Sequence, residues 1–190
     1  MALFDFPPLH TARLMLRPVQ AEDLPDLLRV NGDDSVTRFL PYATWAGLED
    51  GQAWLHRMQA LQTGASGRQL VLVLKDTREV IGTLLIFKFD AASQRAELGY
   101  VLGRAHWGRG LMFEAVQAAC AQALGASGLR RLEAEVDTNN LASNALLQRL
   151  GFTREGTLRQ RWVGKGRTYD THLYGLLAGE PSSQQASTFA

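Results

Sequence analysis

Hydrophobic positions along this chain recur with two periods, and the switches between them divide it into elements. Residues 13–17 alternate polar and apolar side chains and run into Pro18, the pattern of a first strand. Over 23–30, Leu24, Leu27 and Leu28 repeat at helical spacing behind acidic residues that suit a helix N-terminus. A second helix is expected over 48–62, with Trp54, Leu55, Met58 and Leu61 on one stripe and Gly64 and Gly67 ending it. Strand-like runs then occupy 69–75, 80–89 and 95–102, separated by a turn over 75–79 and a polar segment over 90–94, which reads as an antiparallel meander.

The period changes again after the meander. An Ala-rich helix is predicted over 111–124, stopped by Gly125, Ser127 and Gly128. Residues 131–137 alternate, with Leu132, Ala134 and Val136 on one face and Glu133, Glu135 and Asp137 on the other, a strip that suits solvent or a cationic amine. A helix over 141–150 stops at Gly151, and two last strands fit 152–162 and 168–177 around the turn Gly164-Lys165-Gly166. From Ala178 the chain is polar and aperiodic, which predicts a disordered tail over 178–190 behind a single domain over 1–177. The fold class is α/β (α+β): a mostly antiparallel central sheet of about seven strands flanked by about four helices.

Composition narrows the function classes. The 190 residues are 46% hydrophobic, enough for a core, and 20 basic against 19 acidic residues advertise neither a nucleic-acid nor a membrane partner. The longest apolar run, 70–74, is far short of the roughly 20 residues that span a bilayer, and the first eight residues lack the charge and apolar pattern of a signal peptide. A lone Cys120 and the absence of metal-ligand spacing leave a cytoplasmic, metal-free protein as the expectation. Three of the 20 basic residues are Lys, so Arg dominates; its planar fork suits phosphates and carboxylates, although Arg-rich coding alone produces the same bias.

The most informative segment links the strand over 95–102 to the next helix through Gly103-Arg-Ala-His-Trp-Gly-Arg-Gly110-Leu-Met. A helix N-terminus leaves backbone N–H groups unpaired at the positive end of its dipole, and glycines let that backbone approach a phosphate closely. Arg104 and Arg109 add fixed positive charge, so a pyrophosphate is the natural guest. The chain has no G-x-x-x-x-G-K-[ST] string, and a dinucleotide fingerprint would need a small residue at Phe113 and a place at the start of a parallel βαβ unit.

Ala96-Glu-Leu-Gly-Tyr100 followed by Trp107-Gly-Arg-Gly-Leu-Met112-Phe-Glu-Ala115 resembles the acyl-CoA-binding motif of the GNAT superfamily of N-acyltransferases, and more narrowly its RimJ/RimL-type branch. Thr11-Ala-Arg-Leu-Met-Leu-Arg-Pro18, Asn140-Leu-Ala-Ser143 with Leu150-Gly-Phe152, and Arg167-Thr-Tyr-Asp170 with Tyr174-Gly-Leu-Leu177 resemble further blocks of that branch, in order, over roughly residues 9–177. The resemblance implies acetyl-CoA as acyl donor, without a metal, bound by Tyr100, Val101, Leu102, Arg104, Trp107, Gly108, Arg109, Gly110, Leu111, Met112, Asn140 and Ser143. Trp107 replaces the superfamily's more usual Gln or Arg. Met112 stands where a small residue is expected, so its side chain either turns away or crowds the phosphates.

Direct attack of an amine on a thioester needs a base, an oxyanion donor and an acid for the thiolate. The resemblance implies Glu97 as base, directly or through water, and Ser143 as acid or water-positioning residue near the CoA sulfur; a backbone N–H over 99–102 would serve the oxyanion. Glu97 equally suits a solvated strand position or a partner for Arg95 or Arg104, Ser143 a local bond in the first helical turn, and Asn140 a plain N-cap. Phe39, Tyr42, Trp45, Trp162 and Tyr169 fit the wall of an acceptor pocket or ordinary core and rim positions, and His106 a phosphate contact or the surface. The basic cluster Arg154, Arg159, Arg161, Lys165 and Arg167 fits a solvated face, a ribosomal substrate or the CoA 3′-phosphate. The branch implies a protein N-terminal α-amine of ribosomal-protein type as acceptor. A small amine (antibiotic, polyamine or amino acid) and a non-catalytic acyl-CoA sensor are the competing readings, with a homodimer through C-terminal edge strands compatible with each.

Overall fold

The computed structural model of the protein describes residues 7–180. Eight strands form one sheet: β1 (Leu9–His10), β2 (Leu14–Pro18), β3 (Arg68–Leu74), β4 (Val80–Asp90), β5 (Arg95–Leu102), β6 (Arg131–Asp137), β7 (Thr153–Gly164) and β8 (Arg167–Leu177), in the order β1-β2-β3-β4-β5-β6-β8-β7. Five α-helices accompany them: α1 (Leu24–Asn31), α2 (Asp34–Thr37), α3 (Leu48–Thr63), α4 (Leu111–Ala121) and α5 (Leu141–Arg149).

The two elements beyond the sequence expectation of about seven strands and four helices are β1 and α2. With two residues β1 is too short to show an alternation, and α2 is held by its N-cap, where the Asp33 side chain accepts from Ser35 N at 2.8 Å, rather than by an apolar repeat. The helix expected to reach residue 124 leaves α-geometry at Ala121 and finishes as a π-turn, Gln122–Ala126. Ala178 N donates to Arg130 O at 2.9 Å and Leu177 N to the Glu180 side chain, so the first residues of the expected tail are tied to the sheet; 181–190, like 1–6, lie outside the described residues.

α4 and α5 cover one face of the sheet and α1 and α3 the other. The small side chains of Ala115, Val116 and Ala119 lie against Leu14, Leu72, Leu84 and Leu98; on the opposite face Leu24, Leu27, Trp54 and Leu55 pack on Val71, Val73 and Val80. Held between the two layers, β3 is buried at all seven positions, which is why it reads as an apolar run rather than an alternation. Each fully buried Leu or Val removes about 1.5–3 kcal/mol of apolar surface free energy from water. No described helix is long and apolar enough to cross a membrane.

Every strand pair is antiparallel except β5 and β6, which α4 connects as a crossover. That parallel ladder is short: Arg95, Ala96 and Glu97 face Arg131, Leu132 and Glu133, and beyond them the strands part. Residues 98–102 of β5 and 134–137 of β6 thus have no strand partner across the gap. The gap opens at the carboxyl ends of the two strands, where the N-termini of α4 and α5 begin, a place where α/β sheets receive ligands.

Candidate active site

A cavity of about 1140 Å³ runs through this gap. Tyr100, Ser143 and Leu146 line it on the helical face of α4 and α5, and Phe87, Glu97 and Tyr42 line it on the face of α1 and α3. Alternation along β5 produces this division: Ala96 and Leu98 are buried against α4, so Glu97 and Gly99 point to the other side.

At its α4 end the cavity meets the glycine loop. Gly108 and Gly110 both take left-handed backbone (φ +71° and +72°), and a Cβ added at Gly108 would meet nothing within 4 Å. The loop backbone is therefore bare and open at the start of an 11-residue helix, which fits a phosphate-bearing cosubstrate. Arg13 of the segment before β2 braces it: its backbone N and Nε bond Glu114 at 2.8 and 2.7 Å, and a guanidinium nitrogen donates to Arg109 O at 2.9 Å. Trp107 folds back so that Nε1 donates to Leu102 O at 2.7 Å, occupying one carbonyl at the end of β5. Leu111 and Met112 are buried in the core cluster, and both also line the cavity. Arg104 and Arg109 are exposed on the loop and are not among the cavity's lining residues. His106 lines the cavity but turns toward Glu79, at 3.8 Å.

At the α5 end, Asn140 is the N-cap, its side chain accepting from Ser143 N at 3.3 Å. Ser143 Oγ and Tyr100 Oη share a hydrogen bond of 2.7 Å. Burial drives the Tyr100 hydroxyl well above its ordinary pKa, so it stays protonated. Two linked hydroxyls on the cavity lining form an arrangement that can pass a proton. The Tyr100 partner escapes sequence reasoning because the two residues stand 43 positions apart.

On the opposite face Glu97 bonds Lys88 Nζ at 2.7 Å, not Arg95 or Arg104. Lys88 sits at a bulge of β4 with φ +52°, a left-handed backbone uncommon outside glycine, and from there its ammonium reaches across to β5. Burial raises the Glu97 pKa, Lys88 opposes this, and Glu135 and Glu133 add to the rise. The acidic strip of β6 is paired rather than solvated. Glu133 bonds Arg95 and Arg131 at 2.8 Å each, Glu135 receives Arg161 at 3.3 Å and Trp162 Nε1 at 3.0 Å, and Asp137, 1% exposed, receives Arg167 at 2.6 Å.

The basic cluster of the last two strands is accordingly split. Arg161 and Arg167 serve those acids, Lys165 donates to Thr37 O at 2.5 Å, and Arg154 and Arg159 are exposed. Of the candidate wall aromatics, Phe39 and Tyr42 line the cavity. Trp45 packs on Trp54 in the core, with ring centroids 5.6 Å apart, and Trp162 and Tyr169 lie outside the lining. Cys120 is buried and its thiol is pushed up to about 12, which makes it a poor nucleophile.

Residues 13–153 match the acetyltransferase (GNAT) domain family. The uncharacterized N-acetyltransferase p20 of Bacillus licheniformis is 34% identical over 172 residues, 90% of this chain and 97% of that protein. The ribosomal-protein-serine acetyltransferase of Escherichia coli is 29% identical over 109 residues, 57% of this chain and 60% of its own. Among solved structures, Mycobacterium smegmatis RimJ in complex with CoA-disulfide shares the fold with a TM-score of 0.83 at 22% identity, over 96% of this chain and 92% of that one. A sheet parted between its two parallel strands, with a bare glycine loop at the opening, is here the framework of an acetyltransferase, and the chain belongs to the GNAT family.

Proposed function

We propose that this enzyme moves the acetyl group of acetyl-CoA to the α-amine at a protein N-terminus, with both substrates bound at once on the two faces of the sheet. The observation that carries this reading is the single cavity passing through the β5–β6 gap, with Glu97 on one side and the Tyr100–Ser143 pair on the other. The relationship to a ribosomal-protein-serine acetyltransferase supports the choice of acceptor.

Acetyl-CoA supplies the activated acetyl thioester; the remaining work falls to the chain. The loop over 108–112 and the first turn of α4 receive phosphates, and the open strand edges and the Asn140 amide offer donors and acceptors to an amide-bearing arm. Glu97 takes the proton of the acceptor amine, a modest task for an α-amine of pKa ~7.7–8.0 and a harder one for a lysine near ~10.4. A backbone N–H on the open edge of β5 steadies the oxygen that gains charge, and the Ser143 and Tyr100 hydroxyls return a proton to the departing sulfur.

Thiol release from acetyl-CoA against N-terminal peptides, polyamines, amino acids and aminoglycosides tests the reading. Selective turnover of peptide α-amines is expected, with kcat lowered about 10²-fold in Glu97→Gln and about 10-fold in Ser143→Ala. A double variant that keeps full turnover would overturn both assignments. Gly110→Asp, which brings a carboxylate to the phosphate loop, is expected to weaken acetyl-CoA binding by about 10-fold or more in a titration; unchanged affinity would remove the loop from the site.

A further inference from the structure

Every acid that lines the cavity is neutralised, while on the face of α1 and α3 two lining arginines meet no acid among the described residues. Each of its acids meets a cation: Glu97 has Lys88 at 2.7 Å, Glu135 has Arg161 at 3.3 Å, and Asp137 has Arg167 at 2.6 Å. Arg38, which follows α2, and Arg57, on α3, line the same cavity, and among the described residues neither has a carboxylate partner. The Arg38 guanidinium lies over the Phe39 ring at 5.2 Å, while the field of Arg57 reaches the buried Tyr42 hydroxyl in the cavity wall.

These two forks therefore present positive charge to whatever enters from the side of Glu97. An amine that has given up its proton brings no charge to offset them, whereas a carboxylate on the same acceptor would receive planar, charge-assisted hydrogen bonds. We propose that the acceptor carries a carboxylate within a few bonds of its primary amine, held by Arg38 and Arg57 while Glu97 meets the amine. This rests on the reading of the cavity as an acetyl-transfer site with the acceptor on the Glu97 side. Two sources share the chemistry: a peptide with Asp or Glu directly after its first residue, and a free α-amino acid.

Thiol release from acetyl-CoA is measured with hexapeptides that differ only in Asp, Asn or Lys at the second position, and with free alanine against alaninamide. The acidic member of at least one pair is expected to exceed its neutral counterpart by about 10-fold in kcat/KM, about one charge-assisted contact. A preference within the peptides identifies the protein source, and one within the alanine pair identifies the free amino acid. In Arg38→Gln/Arg57→Gln the ratio is expected to fall toward one, and in Arg159→Gln, an exposed arginine outside the cavity lining, to persist. Turnover without an acidic preference, or a preference that survives the double substitution, overturns the carboxylate proposal and leaves acetyl transfer standing. Turnover of none of these acceptors overturns the carboxylate proposal and the choice of an α-amine as acceptor.

Discussion

Lys88 works against the burial that raises the pKa of the candidate base, and that has a measurable sign. Burial raises the Glu97 pKa and the Lys88 ammonium, 2.7 Å away, lowers it. A base works only when deprotonated, so activity falls as pH drops through that pKa. In Lys88→Met the restraint is gone while Glu133 and Glu135 continue to push upward, so the acid limb of the kcat/KM profile is expected to move to higher pH. An unmoved limb would show that Glu97 does not titrate in the reaction. Glu97 and Ser143 could be picked out in the sequence because they sit at fixed places in motifs. Their partners could not. Lys88 reaches Glu97 through a bulge, and Tyr100 reaches Ser143 through strand-to-helix packing, neither of which leaves a local pattern.

At the level of elements, α5 is placed by one buried amide. Asn144 Nδ2 donates to Asp137 O at 3.2 Å and to Asn140 O at 2.8 Å, while its Oδ1 accepts from Tyr174 Oη at 2.8 Å, tying helix to β6 and β8. Tyr174→Phe leaves that acceptor unsatisfied and is expected to destabilise the protein by about 1–3 kcal/mol in denaturant unfolding. Ser143 rides on the same helix, so kcat is expected to fall as well. Most elements were readable from periodicity, to within a few residues at their ends. The exceptions owe their form to something else: α2 to the Asp33 cap, β1 to pairing with β2, and the end of α4 to a π-turn. The acidic face of β6 was legible as a face, yet its pairing was not, since Arg161 and Arg167 come from a hairpin that folds over it later in the chain.

Across the whole molecule, the parted strands β5 and β6 divide the sheet into a half holding β1–β5 and a half holding β6–β8, joined through three ladder positions. The missing rungs lie in the middle of the sheet, where the cavity crosses it. An amide-bearing cosubstrate seated there would complete the ladder and give the acceptor side its back wall. Those amides of 98–102 and 134–137 that face the gap, rather than β4 or β8, are then expected to exchange with deuterium more slowly when CoA is present, with residues of β3 unaffected. The same interruption has a kinetic corollary. If the acceptor's surface is finished only after the gap is filled, the two substrates should add in compulsory order, acetyl-CoA first, and CoA should compete with acetyl-CoA while inhibiting noncompetitively against the amine.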